Sequence, residues 1–161
     1  MKNFIKIFLT LSFIMSLGLG VFASNLNEAK TFFNNYVNAA NSYSNDVPSY
    51  YSPNALIVRQ VIKPNGTLVD VPFTMAQYQN QMKISSSIAK MKKYKNNYSN
   101  LTVKQINATT FQINADRQPS LGGPKLKTYT TVQKQSNGKW LIIKEVMQTR
   151  EQIFLKYAKK G

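Results

Sequence analysis

The order of elements in this 161-residue chain predicts an α+β fold, with helices packed on one face of a curved, mostly antiparallel sheet. Three observations carry that expectation. Apolar and aromatic residues between Asn25 and Tyr43 recur at spacings of three and four, the period of an amphipathic helix. The β-branched run Leu56 to Ile62 is followed by Asn65-Gly66, a strong hairpin signal. The C-terminal half alternates apolar and polar residues in segments punctuated by Asn107-Ala108, Pro119 to Lys125 and Ser136-Asn137-Gly138, as a meander of strands would.

Leu26, Ala29, Phe32, Phe33, Tyr36, Val37, Ala40 and Tyr43 make the apolar face of the first helix. Ser24 or Asn25 is placed to cap it, and Glu28 falls in the first turn, where a negative charge suits the helix dipole. The stretch SNDVPSYY ends the helix and allows one further turn. In SPNA, Pro53 fixes one backbone angle and Asn54 tolerates turn geometry, so the chain is expected to reverse there before entering Leu56 to Ile62. TLVDVPF returns as the partner strand, ended by Pro72. Thr74 to Lys93 reads as a second helix capped by Thr74, with Met75, Tyr78, Met82, Ile88 and Met91 as a loose apolar face. Ser85 to Ser87 lower its propensity and are expected to fray or bend it. Four strands follow, in LTVKQINATTFQINADRQ, KLKTYTTVQKQ and KWLIIKEVMQ, and REQIFLKYAKKG closes with a short helix.

The first residues read as an export leader. Lys2 and Lys6 precede an apolar stretch from Ile7 to Gly20, and Val21 and Ala23 set compact residues where a signal peptidase reads. That stretch is shorter than the about 20 residues of a spanning helix. Cleavage after Ala23 leaves residues 24–161 as one domain of 138 residues, large enough to bury a core without disulfides. The chain has no cysteine, which excludes a lipid-modified cysteine, a disulfide frame and a thiolate metal site. Loss of Lys2 and Lys6 leaves 19 basic against 6 acidic side chains, a net charge of +13. Such a surface is drawn to polyanions, an anionic envelope surface included; intracellular nucleic acid is the disfavoured partner of an exported protein. Because the lysines are spread along the chain, diffuse solubilising charge accounts for the excess equally well.

The first helix AKTFFNNYVNAANSYSND, the corner VPSYYSPNALI and the last-strand pattern GKWLIIKEVMQT, in this element order, resemble the NTF2-like superfamily of cone-shaped α+β folds, which includes SnoaL-like proteins and ketosteroid isomerases. The resemblance covers nearly all of the mature chain and implies a bacterial periplasmic home. It also implies a fold that hosts enzymes, ligand carriers and assembly components alike, so it does not choose a function. SnoaL-like cyclases use an Asp and His pair in the cone, and this chain has no histidine. Tyr36 matches the helical tyrosine of the isomerases, but no pair of inward carboxylates accompanies it, and Asn54 stands where family members often carry an acid.

Six acidic residues make the search for a proton carrier short. Tyr36, Asp46 and Glu145 are the candidate catalytic residues. Strand alternation puts Leu141, Ile143, Glu145 and Met147 on one face, so Glu145 can meet apolar company. An ion pair of Glu145 with Arg59 or a lysine is the more ordinary reading, as is Asp70 with Arg59 across the hairpin. Absence of His and Cys, and of clustered carboxylates, argues against a metal or other cofactor. Tyr36, Tyr51, Arg59, Phe73, Tyr78, Tyr129 and Trp140 are the candidate lining of a ligand pocket, their aromatic bodies and polar tips suiting an apolar or amphipathic molecule; core packing is the plainer use of the same aromatics. Lys90, Lys92, Lys93 and Lys95, in KMKKYKNNY, form the densest basic patch, a candidate polyanion surface or simply a solvated helix end. The reading leans away from an enzyme, toward an exported domain that binds a small ligand or a protein partner. The alternatives are an unconventional isomerase-like enzyme and a periplasmic scaffold that dimerises through its sheet.

Overall fold

The structure, a computed structural model, describes residues 23–158. The leader expected at residues 1–23 lies outside them except for Ala23.

Helix α1 occupies residues 23–41 and buries Ala29, Phe33 and Tyr36 at spacings of four and three. Ser24 and Asn25 lie inside this helix and do not cap it: Ser24 Oγ donates to Glu28, and Asn25 Nδ2 donates to the Ala108 carbonyl. A short 3-10 turn, Val47–Tyr50, then hands the chain to the sheet. Pro48 suits the start of that turn because its missing N–H would have no partner there.

Strand β1 (Tyr51–Ile62) begins before SPNA, so the reversal expected at Pro53 does not occur. SPNA is instead a bulge inside the strand. Between Tyr51 and Leu56 the chain advances five residues while the facing strand advances only from Ile142 to Lys144. Pro53 has no N–H to give to a ladder and fits an irregular stretch of this kind. The Asn65-Gly66 turn forms as expected, with Gly66 at φ 84° and a Lys63 N–H donating to Thr67 O at 2.8 Å. Strand β2 (Leu68–Phe73) pairs antiparallel to β1 and continues one residue past Pro72, which is tolerated because β2 is an edge strand.

Helix α2 (Met75–Met91) starts on a capping box in which Thr74 and Gln77 exchange hydrogen bonds. It is continuous through the serines, two of whose hydroxyls fold back onto the helix: Ser85 donates to Gln81 O at 2.8 Å and Ser86 to Lys83 O at 3.2 Å. Of its expected apolar face only Met75 and Tyr78 are buried, Met82 is half-buried, and Ile88 and Met91 are exposed. Strands β3 (Asn96–Asn107), β4 (Thr110–Pro119), β5 (Leu126–Lys134) and β6 (Trp140–Thr149) complete the sheet, followed by a 3-10 turn, Gln152–Tyr157. Strand β3 starts earlier than the alternating pattern from Leu101, so Asn96 to Asn100 are strand and not helix end.

The six strands lie in the order β2-β1-β6-β5-β4-β3, antiparallel except for the parallel pair β1 and β6. Because β2 and β3 are the two edges, α2 has to cross from one side of the sheet to the other. The core sits between helices and sheet, built on Phe33, Ile57, Val61, Val71, Phe111, Ile113, Val132 and Ile142. This is the α+β cone that the element order predicted. Among the described residues, no helix is long and apolar enough to cross a membrane.

Candidate functional site

Strand register and the two helices bring five polar side chains from four elements to one point inside the cone. On β1, Arg59 alternates with Ile57 and Val61 and so shares their buried face. On β6, strict alternation would put Ile142 and Glu145 on opposite faces, yet both are buried. The reason is a bulge: Thr131 faces Lys144 while Val132 faces Ile142, so β6 carries one extra residue and its parity flips. Glu145 is 1% exposed.

Both carboxylate oxygens of Glu145 are occupied. Arg59 Nη1 donates to Oε1 at 3.0 Å, while Tyr36 and Tyr51 hydroxyls donate to Oε2 at 2.9 and 2.7 Å. The two hydroxyl oxygens lie 2.7 Å apart, and Tyr78 Oη stands 3.3 Å from Tyr51 Oη. Arg59 also lies over the Tyr78 ring, 5.1 Å from its centroid. Burial, reinforced by the Glu145 charge, pushes the Tyr36, Tyr51 and Tyr78 hydroxyls above the ordinary tyrosine value, so they act as neutral hydrogen-bonding groups. Burial opposes the Arg59 charge, but Tyr78, Glu145 and Tyr51 outweigh it and hold the guanidinium above its usual range.

Beside this network lies a cavity of about 760 Å³, bounded by the end of α1, the 3-10 turn, α2 and the sheet. Ala40, Val47, Met82, Met147 and Phe154 make its apolar wall; Tyr36, Tyr43, Tyr78, Tyr94, Tyr98, Arg59 and Arg117 also line it. Its size falls within the range of small-molecule sites, about 300–1,000 Å³.

The seven residues expected to line a pocket divide. Tyr36, Arg59 and Tyr78 line the cavity, and Tyr51 is buried behind it with its hydroxyl in the Glu145 network. Phe73 is core, packed edge-on against Phe154 and Tyr157. Tyr129 stands between buried Thr128 and Thr130 on β5 and therefore faces away from the cone. Trp140 belongs to a separate groove along α1, where its Nε1 donates to Glu28 at 3.0 Å. Asp46 is exposed, held by a Ser44 hydroxyl at 3.2 Å, and is not part of the cavity wall. Asp70 accepts from Gln60 Nε2 at 2.8 Å, and it is Glu145 rather than Asp70 that pairs with Arg59. Lys90, Lys92, Lys93 and Lys95 are exposed at the end of α2 and in the turn that follows. Among the described residues no cluster of His, Cys, Asp or Glu is suited to a metal.

Tyr94, Tyr98 and Arg117 were not in the sequence-derived pocket set. For Arg117 a signal existed: Phe111, Ile113 and Ala115 alternate along β4, and the same parity carries Arg117 to the buried face, where it is 5% exposed.

No family model matches the chain, and no curated protein does. Solved structures do. A candidate scytalone dehydratase from Novosphingobium aromaticivorans superposes with a TM-score of 0.60 at 9% identity, covering 80% of this chain and 86% of that one. A protein of unknown function from Pectobacterium atrosepticum gives a TM-score of 0.60 at 12% identity, covering 78% and 91%. A domain of unknown function with a cystatin-like fold from Nostoc punctiforme gives 0.55 at 15% identity, covering 83% and 84%. At such identities the likeness defines the fold alone: the chain has the NTF2-like cone. That fold carries enzymes and non-enzymes, so function must be argued from the cavity.

Proposed function

We propose that this protein is an exported binding domain that holds a small amphipathic ligand in its cone. The observation that carries the reading is where its unpaired polar atoms lie. Three buried side-chain polar atoms among the described residues have no hydrogen-bond partner, and two of them, Tyr43 Oη and Arg117 Nε, belong to residues of the cavity wall. Each such orphan costs about 1–3 kcal/mol; both atoms are shielded from the cavity as it stands, so a molecule that brings partners reaches them only as these two wall side chains turn toward it. The apolar residues of the same wall suit the body of that molecule.

Binding is favoured over catalysis by the state of Glu145. A general acid or base must reach the proton it moves, about 2.6–3.2 Å away. Glu145 instead spends both oxygens on Arg59, Tyr36 and Tyr51 and is not part of the cavity wall. The network is a rigid floor for the pocket.

Native mass spectrometry of the mature chain from Ser24, recovered after export, tests the proposal. One small molecule per chain, released into organic solvent, is the expected result; bare protein in every charge state would overturn it.

A further inference from the structure

Arg117 is a buried cation with no counter-charge among the described residues. Its Nη1 donates to Asn96 Oδ1 at 2.9 Å and to Tyr94 Oη at 3.3 Å, and its Nη2 donates to the Gln148 carbonyl at 2.9 Å. All three acceptors are neutral, and Nε has none. All six carboxylate side chains of the chain lie among the described residues, and none pairs with Arg117. Among the described residues the ion pairs are Arg59 with Glu145, Lys127 with Asp116, and Lys134 with Glu28. Asp116, adjacent in sequence, cannot serve: strand alternation turns it to the outer face, where it accepts from Lys127 and Asn100. Asp46, Asp70 and Glu151 form no ion pair among the described residues.

Buried charges are ordinarily paired, because removal from water is costly and only a close opposite charge offsets it. The cavity wall holds Arg59, already neutralised by Glu145, and Arg117, which is not. Of the five N–H donors of a guanidinium, the three hydrogen bonds leave Nε–H and one Nη2–H without acceptors. Nε is shielded from the cavity, so the free Nη2–H is the donor a ligand meets first, and a carboxylate is a small anionic acceptor for it.

We infer that the ligand is a small amphipathic carboxylate whose anionic head neutralises Arg117 while its apolar body lies against Ala40, Met82, Met147 and Phe154. This rests on the binding role proposed above and names the ligand class. One negative charge is what the wall lacks.

The test compares decanoate with decan-1-ol, which share a chain and differ in the head, by calorimetric titration into the mature protein. Salt of about 1 M, where the screening length is about 3 Å, suppresses the surface lysines. Decanoate is expected to bind the unmodified protein at least about tenfold more tightly than decan-1-ol, a step of about 1.4 kcal/mol. Arg117→Gln is expected to remove that preference, and Arg117→Lys to restore part of it. Equal affinities for the two molecules would overturn the anionic head but leave the cavity as a binding site. Binding of neither would overturn both. The ligand pair on the unmodified chain decides the matter even where a variant fails to fold.

Discussion

Glu145→Gln is expected to be among the most destabilising single-atom-scale changes this protein can suffer. The substitution keeps the shape and removes the charge. One of the two positions facing Arg59 and the tyrosine hydroxyls becomes an NH₂ donor, so either the guanidinium at 3.0 Å meets a donor or the Tyr36 and Tyr51 hydroxyls lose their shared acceptor. Breaking a buried ion pair by removing one partner costs about 3–5 kcal/mol, against a total stability of about 5–15 kcal/mol for a domain. With a urea slope near ~2 kcal/mol/M, the midpoint falls by about 2 M. Equilibrium urea unfolding, followed by circular dichroism, reads this directly. The double variant Arg59→Met with Glu145→Leu removes both charges, and the hydroxyls of Tyr36, Tyr51 and Tyr78 can still bond one another. It is expected to recover most of the loss, since apolar replacement of a buried pair is often neutral. A loss below about 1 kcal/mol for Glu145→Gln, the size of an ordinary surface change, would refute the account of Glu145 as a structural hub. So would a double variant no more stable than the sum of its parts.

Three further outcomes follow from other contacts. Thr74→Ala removes the hydroxyl that accepts from the Gln77 N–H and is expected to cost about 1 kcal/mol, read as a lower thermal midpoint, whereas an unchanged midpoint would mean that α2 does not depend on its capping box. Hydrogen bonds from Lys134, Trp140 and Ser24 lower the Glu28 carboxyl to about 2; its contribution is therefore present above the unfolded carboxylate value and lost as pH falls toward about 2. Glu28→Gln should flatten that acid limb of stability against pH, and an acid limb identical to the parent would contradict it. Tyr36, Tyr51 and Tyr78 keep their protons in the folded state above the pH, about 10, at which unfolded tyrosines ionise, so stability falls as pH rises beyond that point. An alkaline absorbance titration should show a tyrosinate fraction that ionises only together with unfolding; free, reversible ionisation of every tyrosine in the folded protein would contradict the network.

Much of the fold was legible because local signals agreed with it. The period of α1, the Asn65-Gly66 and Ser136-Asn137-Gly138 turns, the Thr74 cap and the alternation of β4 each report a local preference that the tertiary structure keeps. Two of the failures have a common source, irregularity within strands. A bulge at SPNA turned an expected corner into a strand, and a one-residue bulge in β6 placed Glu145 with Ile142 although simple alternation separates them. Bulges are set by pairing with a neighbour, which a single segment does not display. The pocket was legible in part for the same reason. Tyr36, Arg59 and Tyr78 follow from periodicity, but Tyr129 and Trp140 were assigned by residue type, and their parity and position carry them elsewhere. Arg117 was the reverse case: its parity was readable, and a charged residue continuing an apolar row was the clue.

The account stands most directly on the cavity between α1, α2 and the sheet being the place where a ligand sits. Ala89 lines it from α2, and Ala89→Trp would fill it from the helix side without touching the Glu145 network. Native mass spectrometry of the parent and of this variant, both exported and both checked for folding by circular dichroism, makes the comparison. The account predicts one small-molecule adduct on the parent and none on Ala89→Trp; an adduct kept by the variant, or absent from both, would contradict it.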